Sequence, residues 1–498
     1  MNFLGIDIGT SGCKAVVFDE HGRAHAAAHR DYAVTFTEDG GAQLDSDAVI
    51  SNCFTVIQEC AELVEPGSVQ SLCISSQGEA FTAVGSHGKI LSQAMVSSDA
   101  RAKTFVGPWT EQIGLDRLYH ITGHTARPIF TLFKLLWMRD ARPEVWQQAQ
   151  YFLCFEDLLI YKLGLPPTIS WSLAGRTMLF DVRKGTWSGE ILEQIGLEPE
   201  RLARPLPSGS IAGELTKESA SRLGLSPGTV VVTGGHDQGC SALGAGVTDD
   251  HTAMLGSGTV ECLTAVMPQP ILSEHLREHN LCTYHYTIPD RYTTLAYSLT
   301  GGNLLQWFQE EFGTAERQQA EATGQDVYEI LLNTLGNTPA QPLALPYFTP
   351  SGTPYFDYQT KGALVGLRLS TDRHEILRAL LEGVAFEMRL NLELLQAAGY
   401  KVHTLRNVGG GSQSDVLVQV RADVMGVPIE TLHVTEAGCL GAAMLGCAIV
   451  TNTPVEELAA KWVLPGETFT PNPDYQVWYT ERFDQYKELY RSIQGLKV

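Results

Sequence analysis

The sequence predicts an α/β protein of two domains with related architecture, and three features lead there. At 498 residues the chain exceeds what one hydrophobic core usually organises. The first 30 residues read as apolar strands separated by two turns, followed by helical and then strand periodicity. After Asp250 the opening pattern restarts, with 252–255 as strand, Gly256-Ser257-Gly258-Thr259 as turn and 260–266 as strand. A split near residue 245 gives domains of 1–245 and 246–498.

The elements follow in order. Strands over 3–8, 13–18 and from 23 onward, joined by Gly-Thr-Ser-Gly and Asp-Glu-His-Gly turns, form a three-stranded meander. A helix over 47–63 starts behind Asp45 or Ser46 as N-cap, and another spans 128–139, with a strand over 69–75 between them. The run 229–233 ends in Gly234-Gly235-His236-Asp237, before a small-residue helix over 238–246. A loop at the C-terminal end of a strand is where open sheets place their active groups. The second half carries a long amphipathic helix over 372–395, a glycine run 409–411 opening a further helix, and a tightly packed helix over 437–450. That last run is too short to cross a bilayer. The tail, with Trp478, Phe483, Tyr486 and Tyr490 at near-helical spacing, packs as a C-terminal helix.

Composition narrows the function. With 44% hydrophobic and 18% charged residues and no low-complexity period, the chain is globular. Lys plus Arg total 35 against 56 Asp plus Glu, a net charge of -21 that disfavours nucleic acid and anionic membrane as partners. A polyphosphate site therefore needs local compensation. The 10 cysteines form no CxxC pair and sit among apolar neighbours, which fits buried thiols in a reducing compartment. The first apolar run is interrupted by Asp7 and lacks a basic flank, so a cytoplasmic protein is expected.

Three glycine-bearing turns can present backbone N–H groups to phosphate. They are Gly9-Thr10-Ser11-Gly12 with Lys14 nearby, Gly256-Ser257-Gly258-Thr259, and Gly409-Gly410-Gly411 before Ser412. Each alone also reads as an ordinary turn. Asp7, at the end of an apolar strand, is costly to bury unpaired and calls for a cation, a donor or a metal. Walker A and Rossmann fingerprints are absent. Asp237, at a strand end beside two glycines, is placed either as a structural turn residue or as a base that takes a substrate hydroxyl's proton. His236 reads as scaffold. Gln77, Glu79, Asp99 and Arg101 follow strand ends and offer polar groups to sugar hydroxyls.

Taken in order, these segments resemble the FGGY carbohydrate kinases of the sugar kinase, heat-shock ATPase and actin superfamily. DIGTSGCK is similar to the first phosphate loop, SSQGEA to the sugar-contacting strand end, SSDARA to the W-x-D-x-R segment and GGHDQG to the catalytic-Asp loop. LGSGT resembles the second phosphate loop, while GGNLLQW and GGGSQSD resemble the adenosine-side segments. In IFTLFKLLWMRDA, Thr131, Lys134 and Trp137 stand at a family signature's spacing, with Ile129 and Ala141 departing from it. The resemblance implies two ribonuclease H-like (actin-like) domains around an interlobe cleft. It also implies ATP-dependent phosphorylation of a ketose (pentulose or hexulose) or polyol, with ATP and Mg²⁺ as cofactors and a homodimer allowed for. The implied roles are Asp237 as base; Gln77, Glu79, Asp99, Asp237 and Gln238 toward the sugar; Thr10, Ser11, Lys14, Gly256, Ser257, Gly302, Gln306, Gly410, Gly411 and Asp415 toward the nucleotide; and Asp7 with Asp237 toward the metal.

The departures concern substrate. Xylulokinases usually carry a Met-His pair in the stretch that reads Gln77-Gly78-Glu79 here, a departure that speaks against D-xylulose, and glycerol kinases carry Arg-Glu and a Trp before the second contact segment, of which this chain keeps Glu79 but has Gly78 and Ser97. The small residues predict an enlarged pocket and an acceptor of five or more carbons. Asp237-Gln238 resembles the glycerol-kinase pair, and Gly258-Thr259-Val260-Glu261 resembles a string of deoxyhexulose kinases. The alternative class, a noncatalytic sugar- and ATP-binding regulator, would more typically lack the acid at position 237.

Overall fold

A computed structural model describes residues 1–434 and 436–496. Its first sheet comprises β1 (Asn2–Ile8), β2 (Gly12–Asp19), β3 (Ala24–Asp31), β4 (Val69–Ser76), β5 (Ile211–Glu214) and β6 (Val230–His236), in the order β5-β6-β4-β1-β2-β3. The meander β1-β2-β3 is antiparallel, β4 and β6 add in parallel, and β5 closes the sheet antiparallel to β6. The second sheet comprises β7 (Thr252–Ser257), β8 (Glu261–Met267), β9 (Tyr284–His285), β10 (Tyr292–Ser298), β11 (Thr404–Val408), β12 (Ile429–Leu432) and β13 (Pro465–Phe469). Its order is β9-β10-β8-β7-β11-β12-β13. From β10 to β13 the pairing runs antiparallel, antiparallel, parallel, parallel, antiparallel, the same succession as in the first sheet. The turns Gly9–Gly12 and Gly256–Thr259 occupy equivalent places in the two sheets, which is the physical content of the repeat read from sequence.

Helices cover the sheets as their apolar faces require. The relevant ones are α1 (Ser46–Glu62, capped by Asp45), α2 (Thr131–Ala141), α3 (Phe155–Lys162), α4 (Trp171–Gly175), α5 (Asp237–Gly244), α6 (Gly302–Phe312), α7 (Arg373–Ala397), α8 (Asp415–Met425), α9 (Ala437–Thr451) and α10 (Gln476–Ile493). The helix expected from 128 begins at Thr131, because Phe130 is still extended. All ten cysteines are buried free thiols. Among the described residues no helix is long and apolar enough to cross a membrane.

One element departs from a simple division at 245. Helix α9 comes late in the chain, yet it packs on β1 and β4 of the first sheet and crosses α5. Small residues make the crossing possible: a Cβ on Gly441 would lie 2.0 Å from the Cys240 carbonyl oxygen, and one on Gly244 would lie 1.9 Å from that of Ala437. The two helices thus meet backbone to backbone beneath the cleft between the sheets.

At the far side of the second half, α10 buries Tyr479, Phe483, Tyr486 and Tyr490, with Tyr479 rather than the expected Trp478 facing inward. Tyr347 (3.2 Å) and Tyr486 donate to the carboxyl of Glu387 on α7, and burial pushes that group up to about 7 from 4.5. A raised carboxyl favours the fold while protonated, so its contribution is complete below pH 4.5 and is lost as pH rises to 7. Relative to Glu387→Gln, the wild type should lose about 3 kcal/mol of stability across that window. Urea unfolding of both proteins at several pH values checks this, and a difference independent of pH would contradict it.

Candidate functional site between the two sheets

The base of the site is the end of β1. Asp7 is held above its ordinary range by burial, while Ser75 donates to its Oδ1 at 2.6 Å and leaves Oδ2 without a protein donor among the described residues. The following loop is braced from behind. Gln77 donates its amide to the Gly9 carbonyl (2.8 Å) and accepts from Thr10 Oγ1 (3.0 Å), and Tyr32 donates to the same carbonyl (2.7 Å). Gln77, expected toward the sugar, therefore fastens the glycine loop. Thr10 and Ser11 are exposed on that loop. Lys14, expected toward phosphate, pairs instead with Glu436 just ahead of α9 at 3.1 Å. That pair is open to solvent and holds weakly.

Beyond β4 the chain makes a strained turn at Glu79, whose φ of 63° is unusual for a residue with a side chain. The signature residues on α2 hold it. Thr131 Oγ1 (2.9 Å) and the wholly buried Lys134 Nζ (3.2 Å) both donate to the Glu79 carbonyl, and burial lowers Lys134 to about 8. The Glu79 carboxylate takes Ser97 Oγ on Oε2 (2.8 Å) and Arg176, from the end of α4, on Oε1 (Nε at 2.7 Å). Both side chains of this ion pair are nearly enclosed.

Gly78 corrects the expectation of an enlarged pocket. A Cβ there would stand 3.0 Å from the His236 ring and 3.4 Å from Arg176 Cβ. These two side chains stand in the space beside the small residue, so the part of the size argument that rested on Gly78 falls. Asp99 is likewise corrected. Its side chain is 0% exposed, bound by Arg101 Nη2 at 2.6 Å and by the Ala42 amide at 3.0 Å, so it does not reach the cleft. Trp137, the third signature residue, lies beneath the Arg101 guanidinium at 4.3 Å.

Asp237 opens α5, a quarter exposed, beside His236 whose Nε2 lies 3.1 Å from Oδ1. Burial, then the charges of Asp7 and Glu79, push its carboxyl up to about 8. Burial and Arg176 push His236 well below its usual value, so the ring is neutral. With Tyr284 OH at 3.0 Å donating to Nδ1, Nε2 carries the hydrogen toward Asp237, an assignment made from the hydrogen-bond pattern. Gln238 lies against β8, where Cys262 Sγ donates to its Oε1 at 2.9 Å.

Across the cleft a cavity of about 760 Å³ is lined by Ser257, Gly302, Gln306, Gly410, Gly411 and Asp415, all expected on the nucleotide side. Its volume suits a nucleotide-sized ligand. Gly256 stands behind the lining, where a Cβ would meet Cys262 Sγ at 2.7 Å. Arg421, unremarked in the sequence, ties the loop together: Nε bonds the buried Glu261 at 3.0 Å and Nη1 the Gly411 carbonyl at 3.1 Å. Thr10, Ser11 and Lys14 lie outside this cavity, on the opposite lobe.

Among the described residues no three His, Cys, Asp or Glu side chains converge as a metal cage. Asp7, with a free oxygen, and Asp237, raised partly by Asp7, form a repelling pair that a cation would relieve. This fits Mg²⁺, which takes one or two carboxylates and completes its shell with water and phosphate oxygens.

The chain is similar to known proteins along nearly its whole length. Residues 2–244 match the N-terminal domain of the FGGY family of carbohydrate kinases, and 253–449 match its C-terminal domain. The chain is 26% identical to a xylulose kinase of Bacillus subtilis, covering 99% of this chain and 98% of the relative. It is 28% identical to an autoinducer-2 kinase of Enterobacter sp., covering 99% and 94%. In fold it resembles the gluconate kinase of Lactobacillus acidophilus, with a TM-score of 0.91, 23% identity, and coverage of 100% and 99%.

Proposed function

The chain belongs to the FGGY family of carbohydrate kinases, enzymes of ATP-dependent sugar phosphorylation, and from that premise we propose that it phosphorylates a hydroxyl of a neutral ketose (pentulose or hexulose) or polyol. The observation that carries the reading is the position of Asp237. It opens α5 at the end of β6, within reach of the charges of Asp7, Glu79 and Arg176, with His236 Nε2 3.1 Å from its Oδ1. As a carboxylate it takes the hydroxyl proton while the phosphoryl group is transferred. Ser11 and the backbone N–H groups of the loops at Gly9, Gly256 and Gly410 face the charge that spreads over the phosphoryl oxygens, Thr10 through its backbone N–H because its hydroxyl is donated to Gln77. Mg²⁺ held by Asp7 and Asp237, when bound, supplies neutralisation of the nucleotide phosphates.

Charge supports a neutral acceptor. Among the described residues near Asp237, Arg176 is committed to Glu79, Lys134 to two carbonyls and Lys14 to Glu436. An acceptor carrying its own carboxylate would meet Asp7, Asp237 and Glu79, and each of these three cations would have to leave its present partner to balance it. Relatives named for xylulose and gluconate therefore separate into a suited and an unsuited acceptor. Coupled measurement of ADP release with D-xylulose, D-ribulose, L-fuculose, xylitol, glycerol and gluconate tests this. A neutral member should exceed gluconate in kcat/KM by about tenfold or more, about 1.4 kcal/mol of discrimination. Gluconate as the best acceptor would overturn the assignment.

A further inference from the structure

Strand β6 does not run regularly to its end. Against β4, Thr233 faces Ile74 and Gly235 faces Ser75, so Gly234 is an extra residue, a bulge. The backbone is pressed together there, since a Cβ on Gly234 would lie 2.0 Å from the Ile74 carbonyl oxygen. A bulge frees an amide from the ladder, and a buried amide requires an acceptor. The acceptor is Glu156 on α3, a side chain with no exposure, whose Oε1 receives the Gly234 N–H at 2.8 Å. Its Oε2 receives the amide (2.9 Å) and hydroxyl (2.7 Å) of Ser170, the N-cap of α4. Ser172 of the same helix takes the His236 N–H at 3.3 Å, and Arg176 at the helix's end grips Glu79. One carboxylate thus joins the strand that aims Asp237 to the helix that brings the Arg176 guanidinium to Glu79.

We propose that Glu156 is a positioning residue for phosphoryl transfer, holding the Gly234 bulge that directs Asp237 into the cleft. The inference rests on Asp237 being the base. Side chains alternate along a strand, so loss of the one-residue bulge would turn the residues beyond it toward the opposite face. All three contacts on Glu156 are donors, which only a carboxylate satisfies. An amide in its place must turn its own N–H groups against the Gly234 amide or against Ser170.

The test is a double-variant cycle in the full chain with Mg²⁺-ATP and whichever acceptor of the panel above turns over fastest. Glu156→Gln should lower kcat by about 10- to 100-fold with the KM for ATP changed by less than about threefold. In an Asp237→Asn background the same change should cost less than a further threefold or so, because the group being aimed is already gone. Glu156→Asp, which withdraws the carboxylate by one methylene, should show the same pattern and carries the test if the Gln variant does not fold. An equal loss in both backgrounds, or an unimpaired kcat in a thermally weakened protein, would show Glu156 to be structural only. If Asp237→Asn is inactive and the Glu156 variants are not, this inference alone falls. If Asp237→Asn keeps near-full turnover, both readings fall together.

Discussion

Replacing Asp237 with Asn is expected to lower sugar-dependent turnover by about 10²- to 10⁴-fold, the range typical of a lost general base. The amide is nearly isosteric, and its neighbours in the fold are satisfied without the charge: His236 also bonds Tyr284, and α5 keeps its packing on α9. ATP binding should therefore persist. In the free protein, burial and the charges of Asp7 and Glu79 hold the wild-type carboxyl at about 8, and it must ionise before it can accept a proton, so kcat/KM, which reports the free enzyme, should rise with pH. The Asn variant should lack that rising limb. Near-full turnover in the pure variant, or an unchanged pH profile, would remove Asp237 from the chemistry.

What the sequence made legible was order along the chain. The two strand-turn-strand openings, the helix cap at Asp45 and the acid after two glycines are local patterns, and local geometry follows from them. What it left illegible was partnership across long separations. Thr131 and Lys134 were recognisable by spacing, yet their task of gripping the Glu79 carbonyl depends on a turn some 50 residues earlier. Gly78 suggested empty space because its neighbours were unknown, and Arg176, 98 residues further on, stands in that space with His236. A signal for Arg176 did exist. A lone arginine within Ser-Leu-Ala-Gly-Arg-Thr-Met-Leu-Phe stands in an otherwise mostly apolar run, where a buried cation requires a carboxylate. Glu156 carried a similar signal beside apolar Leu158–Ile160, but nothing local could indicate that its partner is a bulge in β6. Asp99 misled in the opposite sense, since a polar residue after a strand end looks available until Arg101 is seen to close over it.

The Glu79–Arg176 pair carries the second large effect. With both side chains nearly enclosed, removing one partner strands the other as an uncompensated buried charge. Arg176→Met or Glu79→Gln alone should each destabilise the protein by about 3–5 kcal/mol, an amount read as a shifted urea midpoint. The double variant should recover most of that loss, because a buried ion pair replaced on both sides by neutral groups costs little. Function should not recover with it. Glu79 sits on a strained turn whose carbonyl is held by Thr131 and Lys134 and whose Oε2, among the described residues, is shared only with Ser97, so its carboxylate is an oriented acceptor beside Asp237. Strain of this kind persists where surrounding structure enforces it, and a sugar hydroxyl donating to Oε2 would be the return on it. The refolded double variant is therefore expected to keep its KM for ATP while kcat/KM for the sugar drops by about 10²-fold, as when a site loses a hydrogen bond built for a substrate hydroxyl. If stability and sugar use are restored together, the pair is architectural and Glu79 does not read the acceptor. If stability returns without sugar use, the strained turn at Glu79 serves recognition, and its cost in the fold is offset by the ion pair behind it.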